Sequence, residues 1–461
     1  MTLLQCKDDK GLLKLFLTDH TKKAYEQIRK AADEGNAIAL YMMAEYFSEG
    51  YGVQHINPEG YGVQHINQQK AIAYFKKSYE AGYPVAGYDV AASLPDGSPE
   101  QDEIRNHAKD NILELANEGD ACAQNNLGAM YYYGHGVEQS YEKATEWYLK
   151  AAEQGLADAQ CNLGLMYEYG TGVEQSDEKA VEWVLKAADQ GLADAQCNLG
   201  LMYEYGTGVE QSDEKAVEWY QKAADQGLAR AQCNLGNMYE YGCVYGYGRD
   251  IERSDLIAAM WYGKAAEQGY ARAQYNLGWM YRNGRGVRRS DKKAAKWYHK
   301  AAKQGNADAQ CALGLMYEYG RGVERSDEKA AEWVLKAAEQ GFADAQNHLG
   351  WMYEDGTGVE QSYEKAAEWV LKAAKQGFAD AQNHLGLMYK NGTGVEQSYE
   401  KAVEWYLKAA EQGLADAQYN LGEMYALGDG VEQSNEKARE WLQKAADQGF
   451  DCAMFGLYDR W

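Results

Sequence analysis

Cysteine and histidine are the residues with which metal or nucleophilic chemistry would begin in this chain of 461 residues. Four cysteines recur at one position of a repeated pattern: Cys161, Cys197, Cys233 and Cys311. His348 and His384 share another position, 36 residues apart. There is no C-x-x-C pair, and equivalent residues on stacked helices, about 10 Å apart, neither converge on one metal ion nor approach closely enough for a disulfide. We therefore predict free thiols in a reducing compartment, no metal site and no cofactor.

Catalytic motifs are not apparent in the sequence. Glycine loops such as GTGV, which could cradle a phosphate, recur between predicted helices and follow no predicted strand, so we interpret them as turns. No combination of serine, histidine and aspartate, or of cysteine and histidine, stands out by its context. The sequence therefore predicts a protein that is not an enzyme and has no catalytic residues.

A basic block at residues 272–303 is the strongest charge feature. It holds ten Lys or Arg residues and one Asp, a net charge of +9, in a chain whose net charge is −24. Several of these cations crowd the start of a predicted helix, where the helix dipole favours an anion. Our candidate patch for an anion or a partner consists of Arg282, Arg285, Arg288, Arg289, Lys292, Lys293 and Lys296. The patch contacts an acidic partner, a nucleic acid or phospholipid, or acidic residues of this chain, and the sequence leaves these alternatives open.

The overall composition limits the class of partner. The 70 acidic residues against 46 basic ones disfavour general binding to nucleic acid or to anionic membranes. No apolar run reaches the roughly 20 residues that span a bilayer, and the N-terminal segment carries charges where a secretion signal has its apolar centre. We expect a cytoplasmic protein without a membrane span, and secretion independent of a signal stays open.

A repeat positions these residues. Glycines recur every 36 residues from Gly119 to Gly449, with one longer step of 42 after Gly227. Within one copy, an apolar stripe at helical spacing ends at Gly206, Ser212 is a good helix N-cap, and a second apolar stripe follows. Each copy is therefore predicted to be a pair of short amphipathic helices that must stack on its neighbours.

Two further recurring residues predict how the helices pack. A glycine in the middle of each first helix, such as Gly200, costs about 1 kcal/mol relative to alanine, which indicates that another helix lies too close for a Cβ. Nine of the twelve tryptophans share one position of the second helices, and we predict that they pack between repeats: Trp147, Trp183, Trp219, Trp261, Trp297, Trp333, Trp369, Trp405 and Trp441.

The pattern AQ-x-N-L-G-x-M-Y-x-x-G, followed by G-V, K-A-x-x-W and K-A-A-x-Q-G, resembles the Sel-1-like repeat family, short relatives of the tetratricopeptide repeat. The resemblance implies an all-α fold, a right-handed α-solenoid superhelix of about 11 helix pairs whose first helices line a concave groove. The cysteine-rich branch of that family has a disulfide within each repeat and members described as weak β-lactamases. Here Ala188 and Gln196 occupy the positions of those cysteines.

The repeat register divides the chain into four regions. We predict an N-terminal helical cap at 1–35, two divergent repeats with loop insertions at 36–118, nine regular repeats at 119–449 and a C-terminal capping half-repeat at 450–461. Two copies of EGYGVQHIN, Glu49–Asn57 and Glu59–Asn67, lengthen one loop of the divergent region. A six-residue insertion within Cys243–Asp250 accounts for the longer step.

The resemblance also implies that one position of the first helices faces the groove. That position holds Asn126, Asn162, Asn198, Asn234, Asn276 and Asn420, and it holds His348 and His384 in two other repeats. The amides either bind the backbone of an extended peptide or form hydrogen bonds between repeats, and the sequence leaves both open. Trp279 and Trp351 replace a leucine three residues further on and are candidate binding anchors.

The sequence therefore predicts a non-enzymatic adaptor or scaffold. It binds another protein, of unknown identity, in its groove, and the basic patch is a second contact suited to an acidic segment of that partner. Nucleic acid is not the expected partner. The alternatives are a β-lactamase-like or metal-binding activity, as in the cysteine-rich branch, and contact with nucleic acid or phospholipid through the basic patch.

Overall fold

The computed structural model describes residues 12, 16, 22–49, 67–95, 98–242 and 253–450. In these residues every regular element is an α-helix. The insertion at Cys243–Asp250, nearly all of the two EGYGVQHIN copies and all of the C-terminal half-repeat beyond Phe450 lie outside the described residues. The chain divides into two compact units, Met1–Gln268 and Gly269–Trp461.

The described part of the first unit contains thirteen helices. They are α1 (Lys22–Asp33), α2 (Ala37–Glu49), α3 (Gln68–Glu80), α4 (Val85–Ala92), α5 (Pro99–Glu118), α6 (Ala121–Tyr133), α7 (Tyr141–Glu153), α8 (Ala157–Tyr169), α9 (Asp177–Asp189), α10 (Ala193–Tyr205), α11 (Asp213–Asp225), α12 (Ala229–Tyr241) and α13 (Asp255–Glu267). After α1, consecutive helices pack in pairs, from α2 with α3 to α12 with α13. Each even-numbered helix is the first helix of a pair, and each odd-numbered one is the second.

The described part of the second unit contains ten helices. They are α14 (Ala271–Asn283), α15 (Asp291–Lys303), α16 (Ala307–Glu318), α17 (Asp327–Glu339), α18 (Ala343–Asp355), α19 (Tyr363–Lys375), α20 (Ala379–Asn391), α21 (Tyr399–Glu411), α22 (Ala415–Leu427) and α23 (Asn435–Asp447). The pairs run from α14 with α15 to α22 with α23, and each pair packs on the next. These stacked pairs confirm the predicted all-α solenoid of about 11 repeats.

The sequence explains where the helices begin and end. The Ser212 hydroxyl accepts a hydrogen bond from the backbone N–H of Lys215, so it caps the start of α11 as predicted. Gly206 ends α10 with φ 73°, a left-handed conformation that residues with a Cβ rarely adopt. The same serine and glycine caps recur along the chain, which fixes the length of each helix and the turn between the two helices of a pair.

The glycine in the middle of the first helices lies where the paired second helix comes closest. A Cβ at Gly200 would lie 2.6 Å from Cδ1 of Tyr220, and a Cβ at Gly314 would lie 2.6 Å from Cγ2 of Val334. Because both distances are shorter than van der Waals contact, the helices could not approach this closely around alanine. The predicted close approach is therefore confirmed.

The tryptophans of the second helices pack between repeats, as predicted. Trp333 of α17 lies against a core cluster that includes Tyr298 of the preceding second helix and Leu313 of its own first helix. The ammonium group of Lys336 lies 4.2 Å from the centroid of the Trp333 ring. This cation–π contact covers an aromatic surface that the core leaves open.

Two glutamines in each regular repeat, not singled out from the sequence, join successive second helices through the first helix between them. The buried Gln310 of α16 donates from Nε2 to the carbonyl of Ala302 at 3.1 Å and accepts from Nε2 of Gln340 at 2.7 Å. Gln160 and Gln190 form the equivalent pair in the other unit. The pairing satisfies the buried amide of Gln310, which would otherwise destabilise the core.

The described cysteines lie in the core of the repeats. Cys122, Cys161, Cys197, Cys233 and Cys311 are buried and form no disulfide. Burial raises the pKa of Cys197 and of Cys311 to about 12, so both thiols stay protonated at neutral pH. Their position in the core therefore assigns them to packing and hydrogen bonding.

Candidate partner-binding face of the first helices

One side of each first helix carries a recurring set of polar and apolar residues. In α8 the set is Asp158, Asn162, Leu165 and Glu168, and we call this side of the even-numbered helices the first-helix face. In the unit that ends at Gln268, the face lines a groove of about 800 Å³. A groove of this size, lined by convergent polar groups and leucines, is suited to binding a ligand.

The structure places Asn126, Asn162 and Asn198 in the wall of this groove. Their amide nitrogens are used between repeats. Nδ2 of Asn162 donates to Oδ1 of Asn125 at 3.2 Å, and Nδ2 of Asn198 donates to Sγ of Cys161 at 3.5 Å. Nδ2 of Asn126 donates to the carbonyl of Val85 at 3.3 Å. Of the two roles left open by the sequence, the structure therefore shows the hydrogen bonds between repeats, and it also places these residues in the wall of the groove.

The remaining asparagines of the row follow the same arrangement. Nδ2 of Asn234 donates to Sγ of Cys197 at 3.8 Å, and Nδ2 of Asn420 donates to Oδ1 of Asn383 at 2.9 Å. Asn276 occupies the equivalent, half-buried position of α14. In both of these pairs the acceptor belongs to the previous repeat, so the row stabilises the stacking of repeats.

One arginine, whose role was not predicted from the sequence, also lies in the wall of the groove. One guanidinium nitrogen of Arg230, from α12, donates to Oδ1 of Asp194 at 2.8 Å and to Oδ1 of Asn198 at 2.9 Å. Both acceptors belong to α10. The first-helix face therefore binds a cationic side chain through an aspartate and an asparagine one helical turn apart.

Carboxylates dominate the rest of the groove, which Asp89, Asp158, Glu168 and Asp194 line. Burial raises the pKa of Asp158 to about 7, and the neighbouring Asp194 carboxylate adds to the rise. Burial likewise raises the pKa of Asp89 to about 7, against the hydrogen bonds from Asn126 and Tyr41. Because Asp89 and Asp158 are held where a negative charge is costly, the groove favours a cationic ligand over an anionic one.

In the second unit, two histidines occupy the row of the asparagines and bind glutamates of the preceding repeat. Nε2 of His348 lies 2.8 Å from Oε2 of Glu318, and Nε2 of His384 lies 2.9 Å from Oε2 of Glu354. Burial lowers the pKa of His384, and the Glu354 carboxylate opposes that effect. These bonds fix the orientation of both imidazole rings.

The tryptophans predicted as anchors differ in their surroundings. Trp351 stacks on His384, with ring centroids 3.6 Å apart, and is 41% exposed. Trp279 is half-buried, and the guanidinium of Arg285 lies 5.0 Å from the centroid of its ring. Leu387, 36% exposed, follows Trp351 in the next repeat. The face therefore presents ordered apolar surface to solvent in the second unit.

The basic patch separates into two groups. Arg282 and Arg285, at the end of α14, are half-buried. Burial raises the pKa of the adjacent Tyr298 hydroxyl, and the positive charge of Arg282 opposes that rise. The other five are exposed around the start of α15, namely Arg288, Arg289, Lys292, Lys293 and Lys296. Ser290 caps α15 by accepting from the backbone N–H of Lys293, as Ser212 caps α11.

The exposed group has few partners in this chain. Nε of Arg289 lies 3.8 Å from Oδ1 of Asp291, the residue that follows the cap. Nζ of Lys293 lies 4.9 Å from the centroid of the Tyr281 ring. In the described part of the chain, Arg288, Lys292 and Lys296 form no ion pair. Their charge is available to a ligand.

Comparison with known proteins agrees with the repeat geometry. Eleven segments match the family described as Sel1 repeat: 37–59, 58–83, 123–156, 157–192, 193–228, 229–270, 271–306, 307–342, 343–378, 379–414 and 415–450. The chain belongs to the Sel1 repeat family. The first two matches fall on the two helices of one pair, α2 and α3, and the divergent pair of α4 and α5 is not matched.

Two solved structures are similar to this Sel1-repeat protein over most of its length. One is a protective antigen of uropathogenic Escherichia coli strains that displays an SLR fold, with 34% identity over 93% of this chain and 88% of that chain and a TM-score of 0.61. The other is a Sel1 repeat protein from Oxalobacter formigenes, with 34% identity over 73% of this chain and 99% of that chain and a TM-score of 0.53. No curated protein matches the chain significantly.

Membership of the family indicates the general role of the fold. Sel1 repeats are generally scaffolds for protein interaction, and the fold is typically non-catalytic. Within the described residues of this Sel1-repeat protein, no three His, Cys, Asp or Glu side chains are grouped as a metal ion would need. No helix in the same residues is both long and apolar enough to cross a membrane.

Proposed function

We propose that this Sel1-repeat protein is a scaffold, not an enzyme, that binds an extended segment of a partner protein along the first-helix face. The exposed cations around the start of α15 form a second contact with an acidic part of the same partner. The groove lined by Asn126, Asn162 and Asn198, and the row of Trp279, His348, Trp351 and His384, are the surfaces assigned to the segment.

The observation that carries the proposal is the ordered exposure of Trp351. Its ring is 41% open to solvent, although leucine occupies the position in several other repeats. His384 covers one face of the ring, and Glu354 holds His384. Large aromatic side chains that are already fixed in orientation lose little entropy on binding, and they are common at the energetic centre of interfaces.

The exposed cations support the second contact. Arg288, Lys292 and Lys296 lie close together in the chain, and no carboxylate of the described residues neutralises them. Placing several cations at a helix start costs a few tenths of a kcal/mol per charge unless an anion is bound. A carboxylate-bearing segment of the partner would relieve that cost and accelerate association.

The test is affinity capture of partners from cells of the source organism, compared between variants. Trp351→Ala should lose a partner that the unmodified protein retains. A triple variant, Arg288→Gln, Lys292→Gln and Lys296→Gln, should retain less of the same partner, with a weaker dependence on salt. The matched control neutralises three exposed lysines outside the basic block, Lys30, Lys76 and Lys375, and should retain it fully.

Two results would contradict the proposal. One is recovery of the same proteins in the same amounts with the unmodified protein, the tryptophan variant and the patch variant. The other is loss of all capture after nuclease treatment, because a nucleic acid would then be the ligand of the basic patch.

A further inference from the structure

Helices α8 and α10 have the same sequence, ADAQCNLGLMYEY, but different neighbours. In α10 the pair formed by Asp194 and Asn198 binds the guanidinium of Arg230. That arginine is the second residue of the next first helix. For α8 the residue in the position of Arg230 is Asp194, an acid. The equivalent pair in α8, Asp158 and Asn162, therefore has no cationic side chain one repeat later to bind it.

The hydrogen-bonding groups of the α8 pair are arranged as those of α10 are. Nδ2 of Asn162 donates to the preceding repeat at 3.2 Å, as Nδ2 of Asn198 does at 3.5 Å. In α10 the amide oxygen then accepts from Arg230 at 2.9 Å. Among the described residues, no side chain donates to the amide oxygen of Asn162 or to the Asp158 carboxylate, which receives only the backbone N–H of Asp158 itself.

The surroundings of the α8 pair are open to a ligand and electrically suited to a cation. Asp158 and Asn162 line the groove of about 800 Å³, and so do Glu168 and Tyr169. The Tyr169 ring is 70% exposed and presents an aromatic face to a cation. Burial and the nearby Asp194 raise the pKa of Asp158, as expected of a carboxylate without a compensating cation.

We propose that Asp158 and Asn162 bind an arginine side chain in an extended segment of the partner protein. The inference rests on the proposed function, because it assigns the chemistry that the first-helix face recognises in the first unit. The bound guanidinium takes the place that Arg230 takes on α10. The four first helices α6, α8, α10 and α12 are spaced by about 10 Å, so a segment along them spans roughly nine extended residues.

The probe is a fluorescein-labelled peptide of about that length that alternates arginine and alanine, with a glutamate–alanine peptide of equal length for comparison. Fluorescence anisotropy should show binding of the arginine peptide and not of the glutamate peptide. Asp158→Asn should weaken binding about tenfold or more, because it removes a charge-assisted hydrogen bond. Glu146→Gln, an exposed change of equal charge on α7, should leave the affinity unchanged.

Thermal unfolding followed by circular dichroism shows whether Asp158→Asn weakens binding without unfolding the protein. Asp158→Asn removes a buried charge, so the variant should unfold at the same temperature as the unmodified protein or higher. Equal binding by the unmodified protein and Asp158→Asn, equal weakening by Glu146→Gln, or no binding of the arginine peptide would each overturn this inference. Those results would leave the capture test of Trp351 unaffected, so failure of the inference is distinguishable from failure of the proposed function.

Discussion

Trp351 and His384 lie face to face across two successive repeats, with ring centroids 3.6 Å apart and ring planes 9° from parallel. The contact joins the first-helix faces of α18 and α20. Because the imidazole is itself hydrogen-bonded to Glu354, the stack orders a tryptophan that remains 41% exposed to solvent. A residue built in this way should matter more for binding than for folding.

The first prediction separates these two roles of tryptophan. Trp351→Leu should lower the free energy of unfolding by at most about 1 kcal/mol, since it forfeits mainly one stacking contact. Trp369→Leu should cost about 2 kcal/mol or more, because Trp369 packs against the core between repeats. Native-state hydrogen exchange of α17 to α19 measures both changes locally. Equal losses in the two variants would show that Trp351 is a packing residue.

The second prediction compares Gly236, which faces the Tyr262 ring from the paired helix, with Gly263, which follows Tyr262 in the chain. A Cβ at Gly236 would overlap the Tyr262 ring, and hydrogen bonds from the Tyr262 hydroxyl to Asn237 and Glu240, each 2.7 Å, prevent the ring from moving away. Gly236→Ala should therefore destabilise the first unit by about 1–3 kcal/mol. Chemical denaturation of the variant provides the measurement.

Gly263 is the matched control for that substitution. It lies in α13 with no atom within 4 Å of an added Cβ. Gly263→Ala should therefore stabilise the unit by about 0.5–1 kcal/mol, since alanine favours the helix. Destabilisation by both substitutions would contradict this explanation, in which the paired helix leaves no room for a Cβ at Gly236.

The third prediction concerns the paired glutamines. Gln310→Ala removes a buried hydrogen bond to the Ala302 carbonyl and leaves a gap where the buried Gln310 side chain lay, which should cost about 1–3 kcal/mol. Gln397→Ala removes an exposed hydrogen bond to the Lys390 carbonyl, which water can replace, and should cost about 0.5 kcal/mol. Hydrogen exchange in α15 to α17 should report faster opening in the first variant only.

The fourth prediction is a pH dependence that Asp158 causes. Burial raises its pKa from 3.8 to about 7, so the unfolded state loses the proton at a lower pH than the folded state. The protonated carboxyl contributes stability that is fully present below pH 3.8. This stability is lost as the pH rises through about 7. Asp158→Asn should remove this part of the dependence, so its melting temperature should exceed that of the unmodified protein by more at pH values above about 7 than at acid pH.

Measuring both proteins across that pH range checks the sign. A melting temperature of Asp158→Asn that falls below that of the unmodified protein at alkaline pH would contradict the assignment. It would mean that the Asp158 carboxylate is stabilised by a contact in the folded chain.

Much of the fold followed from the sequence because its causes are local. Ser212 and Gly206 mark a helix start and a helix end by their own chemistry. Gly200 indicates that the paired helix lies too close to leave room for a Cβ. These signals recur in nearly every copy, so each copy supports the others.

The contacts between copies could not be read in the same way. Arg230 binds Asp194 because an arginine happens to stand one repeat later, and the stack of Trp351 on His384 depends on which two repeats adjoin. The glutamine pairs were visible as a recurring Q, but the bond between Gln310 and Gln340 depends on how successive second helices are placed. Such pairings are set by tertiary geometry, which a repeat pattern does not specify.

The most direct test of the proposed function places a photo-crosslinking amino acid at one of two positions. Leu387 lies on the first-helix face beside Trp351, and Glu368 lies exposed on the second helix α19. Irradiation in cells should join the partner to the protein substituted at position 387 and not to the protein substituted at position 368. Crosslinking of the same partner from position 368 alone, or equally from both positions, would show that the first-helix face is not where this protein binds.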